Sequence, residues 1–267
     1  MPDSIVSHYP YPSDELPQKR RLDNLMADWK KQLAPHQVLF RDDGTLYPAE
    51  TFFASDGFLP YYFRQKRKVL FIARETRYIA GQDNIEVILK KCRDNPQGIG
   101  AEPVLRRMLL LAYGIQTNGT IPFENIDAQK LCALVVTADG FSFAFMELSK
   151  YSNENDDGER ADTKLIASFF EHSDLQNRNF IQEELALLNP DLVITMNLWD
   201  GKIDSGILRL ALGDVPFIDC PHPSAARRTI AISGRKVPLI DLYHFSARKS
   251  DCDDFYKPVM DIIRNNE

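Results

Sequence analysis

The stretch Val69-Leu70-Phe71-Ile72 sets apolar side chains one after another, and Leu192-Val193-Ile194-Thr195-Met196 repeats the pattern much later in the chain. A strand with one face in water alternates apolar and polar residues, so an unbroken run demands cover on both faces. Shorter runs at 141–146, 215–218 and 237–240 are also rich in strand formers. Between the runs lie segments with helical character: 84–92, 103–114, 127–136, 177–190 and 201–214. Strands that alternate with such helices build a parallel sheet with helices on both sides. An α/β fold is expected, a three-layer αβα sandwich around a central, mainly parallel sheet of about four to five strands.

The ends read differently. Residues 1–13 are rich in Pro, Tyr and Ser without periodicity, as in an arm laid on a surface. Ser13 is placed to cap a helix running to about residue 33, with Leu22, Leu25, Met26, Trp29 and Leu33 at helical spacing. Turn signals follow at Asp43-Gly44 and Asp56-Gly57. The polar run 153–162 reads as a solvated loop, and 252–263 as a closing helix that Pro258 either kinks or starts. This divides the chain into an N-terminal arm and helix (1–60) packed on a main domain (61–267).

A net charge of −6 excludes a surface coated in cations for nonspecific nucleic-acid binding, but leaves room for a local basic groove. Cys92, Cys132, Cys220 and Cys252 have no C-x-x-C spacing, so they read as free thiols, with no metal and no cofactor implied. The first residues lack the apolar stretch of a signal peptide, and no run reaches the ~18 apolar residues that span a bilayer. A cytoplasmic protein without membrane contact is expected.

In parallel sheets, functional groups gather beyond the carboxyl ends of the strands. Four loops qualify on that rule: Arg74-Glu75-Thr76, Glu147 to Lys150, Met196-Asn197, and His244 to Arg248. Two near-echoes compete for the last position. His222-Pro223-Ser224-Ala225 and His244-Phe245-Ser246-Ala247 each follow a short apolar run and precede arginine. The cations Arg227, Arg228, Arg235, Lys236, Arg248 and Lys249 add a local positive excess, whereas the cluster at 64–68 precedes its strand and reads as a solvated face at the opposite edge.

The order of these loops resembles the uracil-DNA glycosylase superfamily over roughly residues 66–262. Ala73-Arg74-Glu75-Thr76 stands where the family has a Gly-x-(Asp/Asn/Glu)-Pro loop, which puts Glu75 on the catalytic polar position without the family's Gly and Pro. Glu147 stands where family members place an Asn that reads the base edge. The H-P-S type loop falls on His244, which leads into the C-terminal helix, with His222 as the alternative. The resemblance implies that Glu75 orients water and stabilises a sugar cation, and that His244 stabilises the departing base. Ser246, Arg248, Lys249 and Arg227 would grip the phosphate backbone, and Tyr78 would stack on a flipped base. The implied function is a DNA glycosylase-like hydrolase acting without a metal on DNA or a nucleotide-like ligand. Its alternatives are a noncatalytic nucleic-acid or nucleotide binding module of the same fold and a hydrolase of free nucleosides.

Overall fold

A computed structural model of the chain describes residues 11–40, 44–155 and 161–265. The arm at 1–13 and the turn at Asp43-Gly44 fall largely outside the described residues, as does the middle of the 153–162 loop. Helix α1 (Leu16–Leu33) leads into a small antiparallel hairpin, β1 (Gln37–Leu39) and β2 (Leu46–Pro48). The main body then runs β3 (Gly57–Phe58), β4 (Val69–Arg77), α2 (Asn84–Asp94), α3 (Pro103–Gln116), α4 (Ala128–Leu134) and β5 (Ala144–Asn153). It continues with α5 (Thr163–Ser173), α6 (Phe180–Leu188), β6 (Leu192–Met196) and α7 (Ser205–Leu212). Strands β7 (Phe217–His222), β8 (Ala225–Ile232) and β9 (Arg235–Leu242) precede the last helix, α8 (Lys257–Arg264).

The main sheet has seven strands in the order β3-β5-β4-β6-β9-β8-β7. Its centre, β5-β4-β6-β9, is parallel, and β3, β8 and β7 add antiparallel edges. The sandwich is as expected but the sheet is larger, because β3 and β8 join the strands that the apolar runs indicate. The run around Phe217 and Ile218 forms an exposed edge strand, 56% and 54% accessible at these two residues. Pro221 is tolerated there because an edge strand need not donate to a neighbour on both sides.

The unbroken apolar runs have the cover they demand. Leu70 and Ile72 face a layer that includes Trp29 of α1, Phe169 of α5 and Leu185 of α6. Val69 and Phe71 face the opposite layer, with Leu109 of α3, Leu131 of α4 and Val259 of α8. Helix α5 is not among the segments expected from periodicity. Pro258 sits in the first turn of α8, after a π-helical turn at Asp251–Tyr256, so it starts the helix rather than kinking it.

Three local expectations fail for a common reason, which is the burial of polar groups. Ser13 does not cap α1; Glu15 is the cap residue, and its carboxylate instead accepts the Tyr61 and Phe63 amides at 2.7 and 2.8 Å. Asp56-Gly57 is no exposed turn but the buried entrance to β3, where a Cβ on Gly57 would lie 2.4 Å from Leu22 Cδ2. Strands β4 and β5 also run further than the apolar residues alone suggest, so Arg74-Glu75-Thr76 and Glu147 to Lys150 lie within strands rather than in loops. Through β3, the segment before residue 61 adds an antiparallel edge strand to the main sheet.

Beneath β5 lies an ion cluster with no solvent exposure. Lys150 Nζ is 2.6 Å from Asp56 Oδ2 and 2.9 Å from Glu184 Oε2, and its charge lies 5.3 Å from the Trp29 ring. Asp56 Oδ2 also accepts the Glu147 amide at 2.6 Å. Burial alone would lower the Lys150 pKa, but the two carboxylates raise it, while burial pushes Glu184 well up. Removing one partner of such a buried set leaves uncompensated charge. Lys150→Met is therefore expected to lower the unfolding free energy in urea by about 3–5 kcal/mol, while Lys257→Met, at an exposed ion pair, should leave the urea midpoint where it is.

Candidate active site

Chain direction decides where the cleft forms. From β4 the chain crosses to β5 on one side, then returns past β4 to β6 on the other. Connections that diverge this way leave a crevice beyond the carboxyl ends of the two strands. A cleft of about 900 Å³ opens there, walled by the ends of β4, β5, β6 and the loop after β9.

Glu75, on β4, lines this cleft together with His244 from the loop after β9. One Glu75 oxygen, Oε1, accepts the Asp162 amide at 3.1 Å and Asn153 Nδ2 at 3.4 Å. The other, Oε2, is buried and has no hydrogen-bond partner among the described residues. Burial raises the Glu75 pKa against these hydrogen bonds, which makes its carboxylate a stronger base. Glu147 also lines the cleft from β5, buried and with Oε2 lacking a hydrogen-bond partner among the described residues. Burial first, then the nearby Asp56 charge, lifts its pKa well above the usual carboxylate range. A protonated Glu147 offers one donor and one acceptor, as an amide side chain does.

His244 is held in one tautomer. The Ser246 amide donates to Nδ1 at 3.2 Å and the Ser246 hydroxyl lies 2.7 Å from the same nitrogen. Because a backbone N–H can only donate, Nδ1 is the acceptor and the neutral ring carries its proton on Nε2. Burial, followed by the charges of Arg74 and Lys202, pulls the His244 pKa down to about 4.

The loop carrying His244 is clamped by a residue that the sequence reading passed over. Arg107 of α3 donates to the carbonyls of Phe245, Ala247 and Lys249 at 2.5, 2.9 and 2.8 Å. It also pairs with Asp251 at 2.7 Å and lies 4.0 Å from the Phe255 ring. Its signal was a cation on the apolar stripe of α3, in line with Leu110 and Leu111. On the other wall, Asp241 accepts the Thr195 hydroxyl at 2.5 Å and the Leu198 amide at 3.2 Å. This holds the turn at Asn197, whose φ is +60°, and with it Asp200.

Other expected site residues disperse. Ser246 and Arg248 line the cleft and also a neighbouring cavity of about 510 Å³. Lys249 lines only that second cavity, its ammonium 4.8 Å from the Tyr243 ring. Tyr78 is 51% exposed, donates to the Asn155 carbonyl at 3.1 Å and does not line the cleft. Arg227 is on β8, paired with Asp219 across the β7–β8 hairpin, and His222 ends β7 with Nε2 3.6 Å from Asp261. Neither lines the cleft. The cation cluster also splits: Arg235 begins β9 and bonds Asp191 and Asn189 at the amino ends of the parallel strands, where Lys68 of the 64–68 run also pairs with Asp191. Residues close in sequence end at opposite edges because β9 crosses the whole sheet between them.

Among the described residues, no group of three or more His, Cys, Asp or Glu is placed to hold a metal ion. All four cysteines are free thiols. No described helix is long and apolar enough to cross a membrane.

No protein-family model matches the chain. No curated protein matches it either. Among solved structures it is similar to a domain of unknown function (DUF1537) from Bordetella bronchiseptica, a domain-swapped dimer with bound citrate. That likeness has a TM-score of 0.30 and 10% identity, over 79% of this chain and 42% of the other. The chemistry of the cleft follows from its own side chains.

The depressed His244 pKa has a thermodynamic consequence. Between pH 6.5 and about 4 the unfolded chain binds a proton at this ring that the folded chain refuses. Its contribution therefore makes the fold lose stability as pH falls through that window. NMR titration of the ring should give a midpoint near 4, and His244→Gln should flatten that part of the pH dependence of the urea midpoint.

Proposed function

We propose that the protein is a DNA glycosylase-like hydrolase: it takes in a base swung out of a nucleic-acid strand and cleaves the N-glycosidic bond. The observation that carries this is the convergence of Glu75 and His244, far apart in sequence, on one cleft that also holds a buried Glu147. In the reaction, water oxygen bonds to the anomeric carbon as the carbon–nitrogen bond breaks. Glu75 Oε2 takes the water proton and faces the positive charge that develops on the sugar. The bonding electron pair leaves with the base, and the His244 Nε2–H donates to it as negative charge builds. A neutral imidazole suits this role at pH 7, where it serves as a hydrogen-bond donor and retains its proton. Glu147 reads the base edge. Ser246 and Arg248 hold backbone phosphate at the mouth, with Lys249 in the adjoining cavity.

The test is alkali-revealed strand scission on labelled single- and double-stranded oligonucleotides carrying uracil, hypoxanthine, xanthine or alkylated bases. Glu75→Gln is expected to lower the rate by about 10²–10⁴-fold and His244→Ala by about 10²–10³-fold. Salt-sensitive binding with no scission on any base would replace the enzyme with a noncatalytic binding module. The placement of Glu75 inside β4, with Oε1 already bonded, speaks for that second reading. Silence in both assays would remove nucleic acid as the partner.

A further inference from the structure

The cleft contains a cation that this mechanism leaves unused. Arg74 is only 4% exposed and lines the cleft from β4. Its Nη2 bonds Asp200 Oδ2 at 3.1 Å, whereas Nη1 is buried with no hydrogen-bond partner among the described residues. A buried charged donor without an acceptor is costly, and natural structures keep such groups where something else comes to meet them. Asp200 is itself fixed: its Oδ1 accepts the Lys202 amide at 3.1 Å and its Oδ2 also receives Asn197 Nδ2 at 3.3 Å. The ion pair therefore orients the guanidinium and leaves one arm to a ligand.

The surroundings define what that arm can take. Arg74 and His244 both line this cleft, and after burial the Arg74 charge is the largest influence lowering the His244 pKa. Together they present two N–H donors, Arg74 Nη1 and His244 Nε2, in the one cleft. Glu147 and Glu75 are among its acidic groups, with Asp200 and Glu102, and Glu147 is in register with Ala73, next to Arg74 on β4. N–H donors such as these donate to an oxygen that gains negative charge and disfavour an amino group presented at the same place.

We propose that Arg74 is a catalytic residue that donates Nη1–H to an exocyclic oxygen on the edge of the bound base and stabilises the charge gathering there as the base departs. This rests on the proposed hydrolase reading and adds to it the class of ligand: a heterocycle with a ring carbonyl at that position. No proton leaves Arg74. The electron pair of the broken carbon–nitrogen bond delocalises onto the base oxygen, and the water proton goes to Glu75. The salt bridge to Asp200 keeps the guanidinium in place throughout.

Binding of free bases tests this without requiring turnover. Uracil and hypoxanthine are titrated against cytosine and adenine, with the arginine side-chain NMR signals of the wild-type protein as readout. The Arg74 guanidinium signals should move on adding an oxo base, which should bind at least about tenfold more tightly than its amino counterpart. Arg74→Gln should abolish that preference, and Arg74→Lys should retain part of it. Because the first readout uses the unmodified chain, poor folding of a variant leaves the test intact. Unmoved Arg74 signals at saturating base, equal binding of the two classes, no binding of any base, or occupation of the arm by inorganic phosphate alone would each overturn the assignment. Strand scission separates the two proposals. Scission lost in Glu75→Gln but unchanged in Arg74→Gln would discard the role of Arg74 and keep the hydrolase. Oxo-selective binding through Arg74 with no scission would keep the ligand assignment and discard the hydrolase.

Discussion

The ammonium of Lys150, enclosed between Asp56 and Glu184, ties together parts of the chain that apolar packing alone would leave free to slide. Asp56 precedes the edge strand β3, Lys150 stands on β5 and Glu184 belongs to α6. Apolar contacts are insensitive to small shifts, but a buried charge is costly unless its partners sit at hydrogen-bond distance. The cluster therefore sets how the N-terminal segment, the sheet and the helical layer meet. Asp56 carries that constraint further by accepting the Glu147 amide, so the strand that brings Glu147 to the cleft is held by the same group.

From this frame the cleft follows by topology. Divergent connections from β4 and β6 open the crevice, and polar residues continue both β4 and β5 into its walls. Two clamps complete it. Arg107 gathers three carbonyls of the loop after β9, and Asp241 secures the turn after β6. Both are buried or partly buried charged groups satisfied by backbone, an arrangement that restricts a loop more tightly than side-chain packing would. The side chains at the centre of the cleft remain incompletely bonded: Glu75 Oε2, Glu147 Oε2 and Arg74 Nη1 have no hydrogen-bond partner among the described residues. Rigid surroundings with unsatisfied groups at the centre are what a ligand site requires.

Much of the architecture could be read in advance because apolar periodicity reports burial directly. The runs at 69–72 and 192–196 are central strands with cover on both faces, and the helix from Leu16 to Leu33 buries Leu22, Leu25, Met26, Trp29 and Leu33 as their spacing indicates. The run at 215–218 does form a strand, and its place at the sheet edge is something hydrophobicity alone does not specify. Strand ends did mislead. Arg74, Glu75, Glu147 and Lys150 look like loop residues, yet they continue strands because tertiary partners satisfy or shelter them.

Local composition was therefore enough to determine an α/β sandwich, the positions of its central strands, and a histidine loop leading into the final helix. Tertiary structure alone decided which charged residues share a cleft. Glu75, Glu147, Arg74 and His244 come together through strand order and register, which depend on pairing between distant segments. Arg227, Tyr78 and His222 are left outside it by the same geometry. Ionisation was likewise beyond the sequence, since the lowered pKa of His244 and the raised pKa of Glu147 arise from burial and neighbouring charge, and neither shift exists until the chain has folded.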